Sequence, residues 1–189
     1  MQNLPALILI DIQQGFDIPN YWGEERNNPN AEENAALLLQ HWRKQGYPIF
    51  HIQHCSQNPH SCLFATHSGC QFKPLVAPQP DEVVIQKNVN SAFIGTDLKQ
   101  LLDEQQIKQV VIAGLTTDHC ISTTTRMAGN YGYEVFLAAD ATATFDRKGI
   151  NGERFSAQLI HDTALASLQG EFATVLDTTD LLRLFVKSK

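Results

Sequence analysis

A chain of 189 residues with 43% apolar and 18% charged side chains has the length of one domain with a full-sized core, and it is too apolar to remain disordered. Its formal net charge of −6, with no run of lysine or arginine, excludes a surface built to hold nucleic acid. No apolar stretch approaches the about 20 residues of a membrane-spanning helix.

The N-terminal "MQNLPALILIDIQ" lacks a basic start, and Asp11 interrupts its short apolar run, so it does not read as a signal peptide. The cytoplasm, where thiols stay reduced, is therefore the expected compartment. The run 6–11 (ALILID) is the first predicted strand. A helical pattern follows over 30–45, where Ala35, Leu38, Leu39 and Trp42 recur at helical spacing and Gly46 supplies a stop. Further strands are predicted at 47–53 (YPIFHIQ), 82–87 (EVVIQK), 109–114 (QVVIAG), 133–140 (YEVFLAAD) and 172–177 (FATVLD). Several of these runs are continuous rather than alternating, as strands covered on both faces require. Helical patterns occupy 96–105, 120–130, 155–169 and 179–186. The long irregular stretch 54–80 holds four of the eight prolines, and a loop of that length is commonly functional. Strand and helix alternate throughout, without repeats or a linker. That pattern predicts a single α/β domain over 1–189 with a mainly parallel sheet.

Ligands of open α/β sheets sit beyond the carboxyl ends of the strands. Three reactive residues fall there: Asp11 closes the first strand, Lys87 closes the third, and Cys120 opens the helix after the fourth. Each has an ordinary alternative, as a cap, a solvated surface group and a small packing residue respectively. Together they are the parts of a covalent hydrolase. The first turn of a helix also carries unpaired N–H groups that favour a thiolate and can hold an oxyanion.

The segments "ALILIDIQQGF", "QKNVNSAFIGTDL" and "VVIAGLTTDHCISTTTRMAGNYGYEVFLAADATATF" occur in that order. They resemble the three signature segments of the isochorismatase-like cysteine hydrolases. That superfamily includes nicotinamidases, carbamoylsarcosine and ureidoacrylate amidohydrolases, and isochorismatases. The resemblance implies a three-layer α/β/α domain with a six-stranded, mainly parallel sheet in which the first and fourth strands are neighbours. It also implies a catalytic triad of Asp11, Lys87 and Cys120, a cis peptide at Leu115–Thr116, and an oxyanion hole from the backbone N–H groups of Thr116 and Cys120. The implied reaction is hydrolysis of an amide-type C–N bond, an amide or N-carbamoyl group of a small molecule, through a thioester. No cofactor is expected, and relatives of this kind associate as homo-oligomers, dimers or tetramers.

Phe16 and Trp22 follow Asp11 closely and Ser91 and Phe93 follow Lys87, so these four are candidates for the pocket wall. Asp118 and His119 flank the nucleophile and are expected to point away from it. The stretch "HIQHCSQNPHSCLFATHSGC" over 51–70 offers His51, His54, Cys55, His60, Cys62, His67 and Cys70 as possible metal ligands. No paired-knuckle spacing occurs among them. The nicotinamidase branch holds its metal with an Asp-x-His pair, and the matching positions read His54-Cys55-Ser56. No metal is therefore expected, and the loop is expected to shape the pocket, with His54 its chief contributor. Two rival readings remain: a non-catalytic binding or scaffold domain that keeps the hydrolase fold, and a metal-dependent nicotinamidase-like enzyme.

Overall fold

The first apolar run is buried along its whole length as β1 (Ala6–Ile10), which a strand with neighbours on both edges and both faces must be. The computed structural model describes residues 4–186. In chain order the elements after β1 are α1 (Ala31–Gln45), β2 (Ile49–His54), β3 (Val83–Lys87), α2 (Leu98–Glu104), β4 (Gln109–Leu115) and α3 (Ser122–Asn130). They continue with β5 (Glu134–Ala143), the two-residue strands β6 (Arg147–Lys148) and β7 (Arg154–Phe155), α4 (Ala157–Leu168), β8 (Thr174–Leu176) and α5 (Thr178–Leu184). Six strands form one parallel sheet in the order β3-β2-β1-β4-β5-β8. The chain reverses its direction of winding between β1 and β4, which are neighbours.

Successive side chains of β1 point to opposite faces and so build two separate cores. Ile8 and Ile10 join Phe50, Ile52, Leu98, Leu102 and Ile112 on one side of the sheet. Leu7 and Leu9 join Leu38, Leu39, Trp42, Val111 and Leu181 on the other. This is the α/β/α layering. The apolar stripe of α1 is buried as its spacing predicts, and Gly46 ends the helix at φ 65°, a left-handed conformation that costs glycine little.

Three boundaries differ from the sequence reading in ways that bear on function. Asp11 lies just past β1 and takes a positive φ of 53° instead of continuing the strand. The helix expected from Cys120 begins at Ser122, because residues Thr117–Ile121 form a wider π-helical turn first. The antiparallel β6/β7 pair has too short a run to announce itself in the sequence. The 54–80 stretch is irregular but packed, with short 3-10 turns at Ser68–Cys70 and Pro74–Val76 and backbone bonds from Gln14 N to Gln71 O and from Lys73 N to Ile12 O. Among the described residues no helix is long and apolar enough to cross a membrane.

Candidate active site

Three strand ends deliver the reactive side chains to one point. β1 ends at Asp11, whose N–H donates to Ile52 O at 2.9 Å, so β2 holds the backbone that presents the carboxylate. β3 ends at Lys87, and β4 leads through Thr116 into the turn that carries Cys120. Close approach of β4 to β1 depends on Gly114, which sits at φ 129°. A Cβ there would lie 2.0 Å from Ile10 O. The Leu115–Thr116 peptide that follows is cis.

Lys87 Nζ is the hub. It lies 2.6 Å from Asp11 Oδ2, 3.2 Å from Cys120 Sγ, 3.2 Å from Val89 O and 3.3 Å from His54 Nδ1. The ammonium has three protons for these four acceptors, so its hydrogen-bonding capacity is filled. All three members are buried, at 1% exposure for Asp11, 3% for Lys87 and 9% for Cys120. The second carboxylate oxygen, Asp11 Oδ1, is buried and receives no hydrogen bond. With no protein donor bonded to it, that oxygen is free to take a proton.

Electrostatics set the resting protonation. Burial pushes the Cys120 thiol up, the Asp11 carboxylate adds to this, and Lys87 pulls the other way without winning. The thiol is therefore protonated at rest, and a base is needed to draw off its proton. Burial also works against the charge on Lys87, but Asp11 and Cys120 outweigh it and hold the ammonium above the usual lysine range. Burial and then Lys87 lower His54, which is neutral and accepts from the ammonium through Nδ1.

A cavity of about 140 Å³ opens beside the sulfur. Asp11, Thr116 and Cys120 border it at the reactive end, and Phe16, Trp22 and Leu63 form an apolar wall. Phe16 and Trp22 are stacked, with ring centroids 4.6 Å apart, and Trp22 Nε1 donates to Gly15 O at 2.8 Å. His54, Asn90 and His119 complete the lining.

Two expected wall residues are corrected. Ser91 is buried with its hydroxyl donating to Met127 Sδ, and Phe93 packs against Tyr131 and Tyr133. Both belong to the loop after β3, turn into the protein and lie outside the lining. His119 corrects the expectation for the nucleophile's neighbours, since it does border the cavity. Asp118 does turn away, accepting from Arg147 Nε at 2.8 Å and from Thr144 Oγ1.

Leu63, Asn90 and His161, which supports the turn carrying Cys120, escaped the sequence reading. Thr117 Oγ1 meets the ring of buried His161 at 2.9 Å, and the other ring nitrogen faces Asn28 Nδ2 at 3.4 Å. Asn28 Nδ2 gives its two protons to Ala139 O at 3.0 Å and Thr142 O at 2.7 Å, which ties the segment before α1 to β5. A helical histidine so far along the chain carries no local signal of this role.

One donor set has the spacing of a metal site. Ligand atoms of Asp11, His54 and Cys120 lie within 4.8 Å of one another. Lys87 Nζ already bonds all three, so the position a dication would take is held by an ammonium. These residues do not fit a resident metal. The remaining histidines and cysteines of 51–70 make no comparable group among the described residues. His51, for example, is committed to Glu82 at 2.8 Å.

Comparison with known proteins agrees with this architecture. A family model described as the isochorismatase domain matches residues 5–180. The isochorismatase family protein YrdC of Bacillus subtilis strain 168 is 46% identical over 188 residues, 100% of each chain. Nicotinamidase 3 of Arabidopsis thaliana is 36% identical over 95% of this chain and 88% of its own. The maleamate amidohydrolase of Pseudomonas putida KT2440 is 28% identical over 95% and 85%. An isochorismatase-family crystal structure from Chromobacterium violaceum superposes with a TM-score of 0.93 at 44% identity, covering 97% of this chain and 94% of that one.

Proposed function

The chain belongs to the isochorismatase family of hydrolases, and from that premise we propose that it cleaves an amide-type C–N bond of a small molecule through a thioester on Cys120. The observation that carries this reading is the buried ammonium of Lys87 bonded at once to Asp11 Oδ2 and Cys120 Sγ, beside a cavity that both acidic groups border. Similarity to an amidohydrolase supports the bond type.

The steps follow from the protonation states. Asp11 is the base, and its unpartnered Oδ1 is the oxygen free to accept the thiol proton. Sulfur attacks the carbonyl carbon as that proton leaves, which avoids a free thiolate in a site that disfavours one. The backbone N–H groups of Thr116 and Cys120 hold the developing oxyanion. Asp11, now protonated, gives its proton to the leaving nitrogen, and ammonia or an amine departs. Water then enters, Asp11 takes one of its protons, and the hydroxide attacks the thioester. The C–S bond breaks, the carboxylic acid leaves, and Asp11 returns its proton to the sulfur, which restores both the thiol and the carboxylate. Lys87 steadies the negative charge as it moves between Asp11 and sulfur.

The test is ammonia or amine release from a panel of small amides and N-carbamoyl compounds by wild type and by Cys120→Ala. Wild type is expected to turn over at least one member, with activity lost by at least about 10³-fold in a folded Cys120→Ala. Undiminished turnover in that variant would refute the scheme.

A further inference from the structure

We infer that the pocket selects uncharged amides with compact acyl groups and rejects substrates that carry a carboxylate. The inference rests on the proposed role of Cys120 and narrows it to a class of substrate.

Size comes from the cavity. At about 140 Å³ it is close to the roughly 150 Å³ cavity in which a single benzene ring binds. An acyl group of about one six-membered ring fills it.

Charge comes from an inventory of the nearby cations. A buried carboxylate needs a paired cation or several N–H donors, because the loss of water is otherwise uncompensated. Lys87 is the cation closest to the sulfur, and its three protons already serve Asp11, Cys120, Val89 O and His54. Arg147 binds the back of the apolar wall through Trp22 O at 3.2 Å. Its five N–H donors are all engaged as well. Nε and Nη2 bond the two oxygens of Asp118, Nη2 also reaches Thr144 Oγ1, and Nη1 reaches Trp22 O and Asp146 O. The basic groups on the lining itself are two histidines: His54, lowered by burial and by Lys87, and His119, whose Nε2 lies 3.4 Å from Asp118 Oδ2. Among the described residues, Lys87 and Arg147 are thus each bonded to an acid of the protein itself, and the lining adds only two histidines. Asp11 and Lys87 cancel, the thiol is neutral, and an anionic substrate would add an unmatched charge against Phe16, Trp22 and Leu63. A neutral acyl group meets those walls without that cost.

A matched pair of electrophiles tests this whichever amide the protein hydrolyses. The full-length protein is treated at about pH 8, above the ordinary histidine range near about 6.5. Neutral iodoacetamide and anionic iodoacetate are compared, with alkylation of Cys120 followed by peptide mass spectrometry and glutathione as the reference thiol. Cys120 is expected to prefer iodoacetamide by at least about tenfold more than glutathione does. Placing a cation at the mouth with Asn90→Arg is expected to remove most of that excess. A wild-type preference equal to that of glutathione, or reversed, overturns the inference and leaves Cys120 as the nucleophile. A folded Asn90→Arg with undiminished excess overturns its electrostatic basis. A Cys120 inert to both reagents overturns the inference together with the reading it rests on.

Discussion

Two buried charge clusters serve the same sheet from opposite ends, and they are built to opposite specifications. At the amino end of β3, Glu82 accepts from Arg43 Nε and Nη2, from Gln79 N–H and from His51 Nε2. Both of its oxygens are partnered. The orphan of that cluster is a neutral ring nitrogen, His51 Nδ1. At the carboxyl end, Asp11 has one oxygen bonded to Lys87 and the other bare, with a protonated thiol beside them. A saturated carboxylate is a fixed strut, whereas an unsaturated one can accept a proton. Among the described residues, the buried carboxylate oxygen left without a partner is the one that borders the cavity.

Four substitutions or conditions sharpen or break this division. The largest effect is expected from Asp11→Asn. It removes the base and leaves Lys87 buried without its counter-charge, so turnover should fall by about 10³-fold and stability by about 3 kcal/mol. Hydrolysis rates and urea denaturation read the two losses separately. Glu82→Gln should also cost about 2–4 kcal/mol in denaturation, because it strands Arg43 and breaks the strut. Its folded fraction should nonetheless keep kcat/KM within about twofold of wild type, since the two clusters share no partner. A collapse of kcat/KM in folded Glu82→Gln would erase the distinction.

Acid supplies a third test. Burial alone would raise Glu82, but Arg43, the Gln79 N–H and His51 outweigh it and hold the carboxyl at about 2, below its ordinary value of 4.5. A folded-state pKa that is depressed stabilises the protein fully above the unfolded value, and that contribution is lost as pH falls through the folded one. The melting temperature of wild type should therefore drop more steeply than that of Glu82→Gln between about pH 4.5 and about pH 2. Parallel curves would mean that Glu82 is not the strut described. The smallest effect is expected from Gly46→Ala, far from both clusters. A β-carbon in that left-handed helix end should cost about 1 kcal/mol in thermal denaturation and leave turnover unchanged.

Much of this was legible in the linear chain. The stripe Ala35, Leu38, Leu39, Trp42 and the stop at Gly46 located α1 to within a residue, because helix burial and termination depend on neighbours close in sequence. The apolar runs located the strands for the same reason. Asp11, Lys87 and Cys120 could be singled out because strand ends are where an α/β sheet exposes reactive groups. The pocket wall was read less well. In a strand, alternation tells which way a side chain faces. Ser91 and Phe93 lie in the loop after β3, where no such period applies, and both turned into the protein. Leu63 and Asn90 had no pattern to mark them, and His119 was set aside because its neighbour Cys120 faced the site. The wide turn Thr117–Ile121 gives both residues access to one cavity.

By itself the sequence determined the parts and their order: six strands, the helices between them, and a carboxylate, an ammonium and a thiol at strand termini. Only tertiary structure decided which oxygen of Asp11 stayed bare, that the thiol rests protonated, and that Lys87 and Arg147 are fully occupied. Those properties depend on distances between segments as much as 125 residues apart in the chain. Dielectric environment and hydrogen-bond saturation arise when such segments pack together, and no local pattern encodes them.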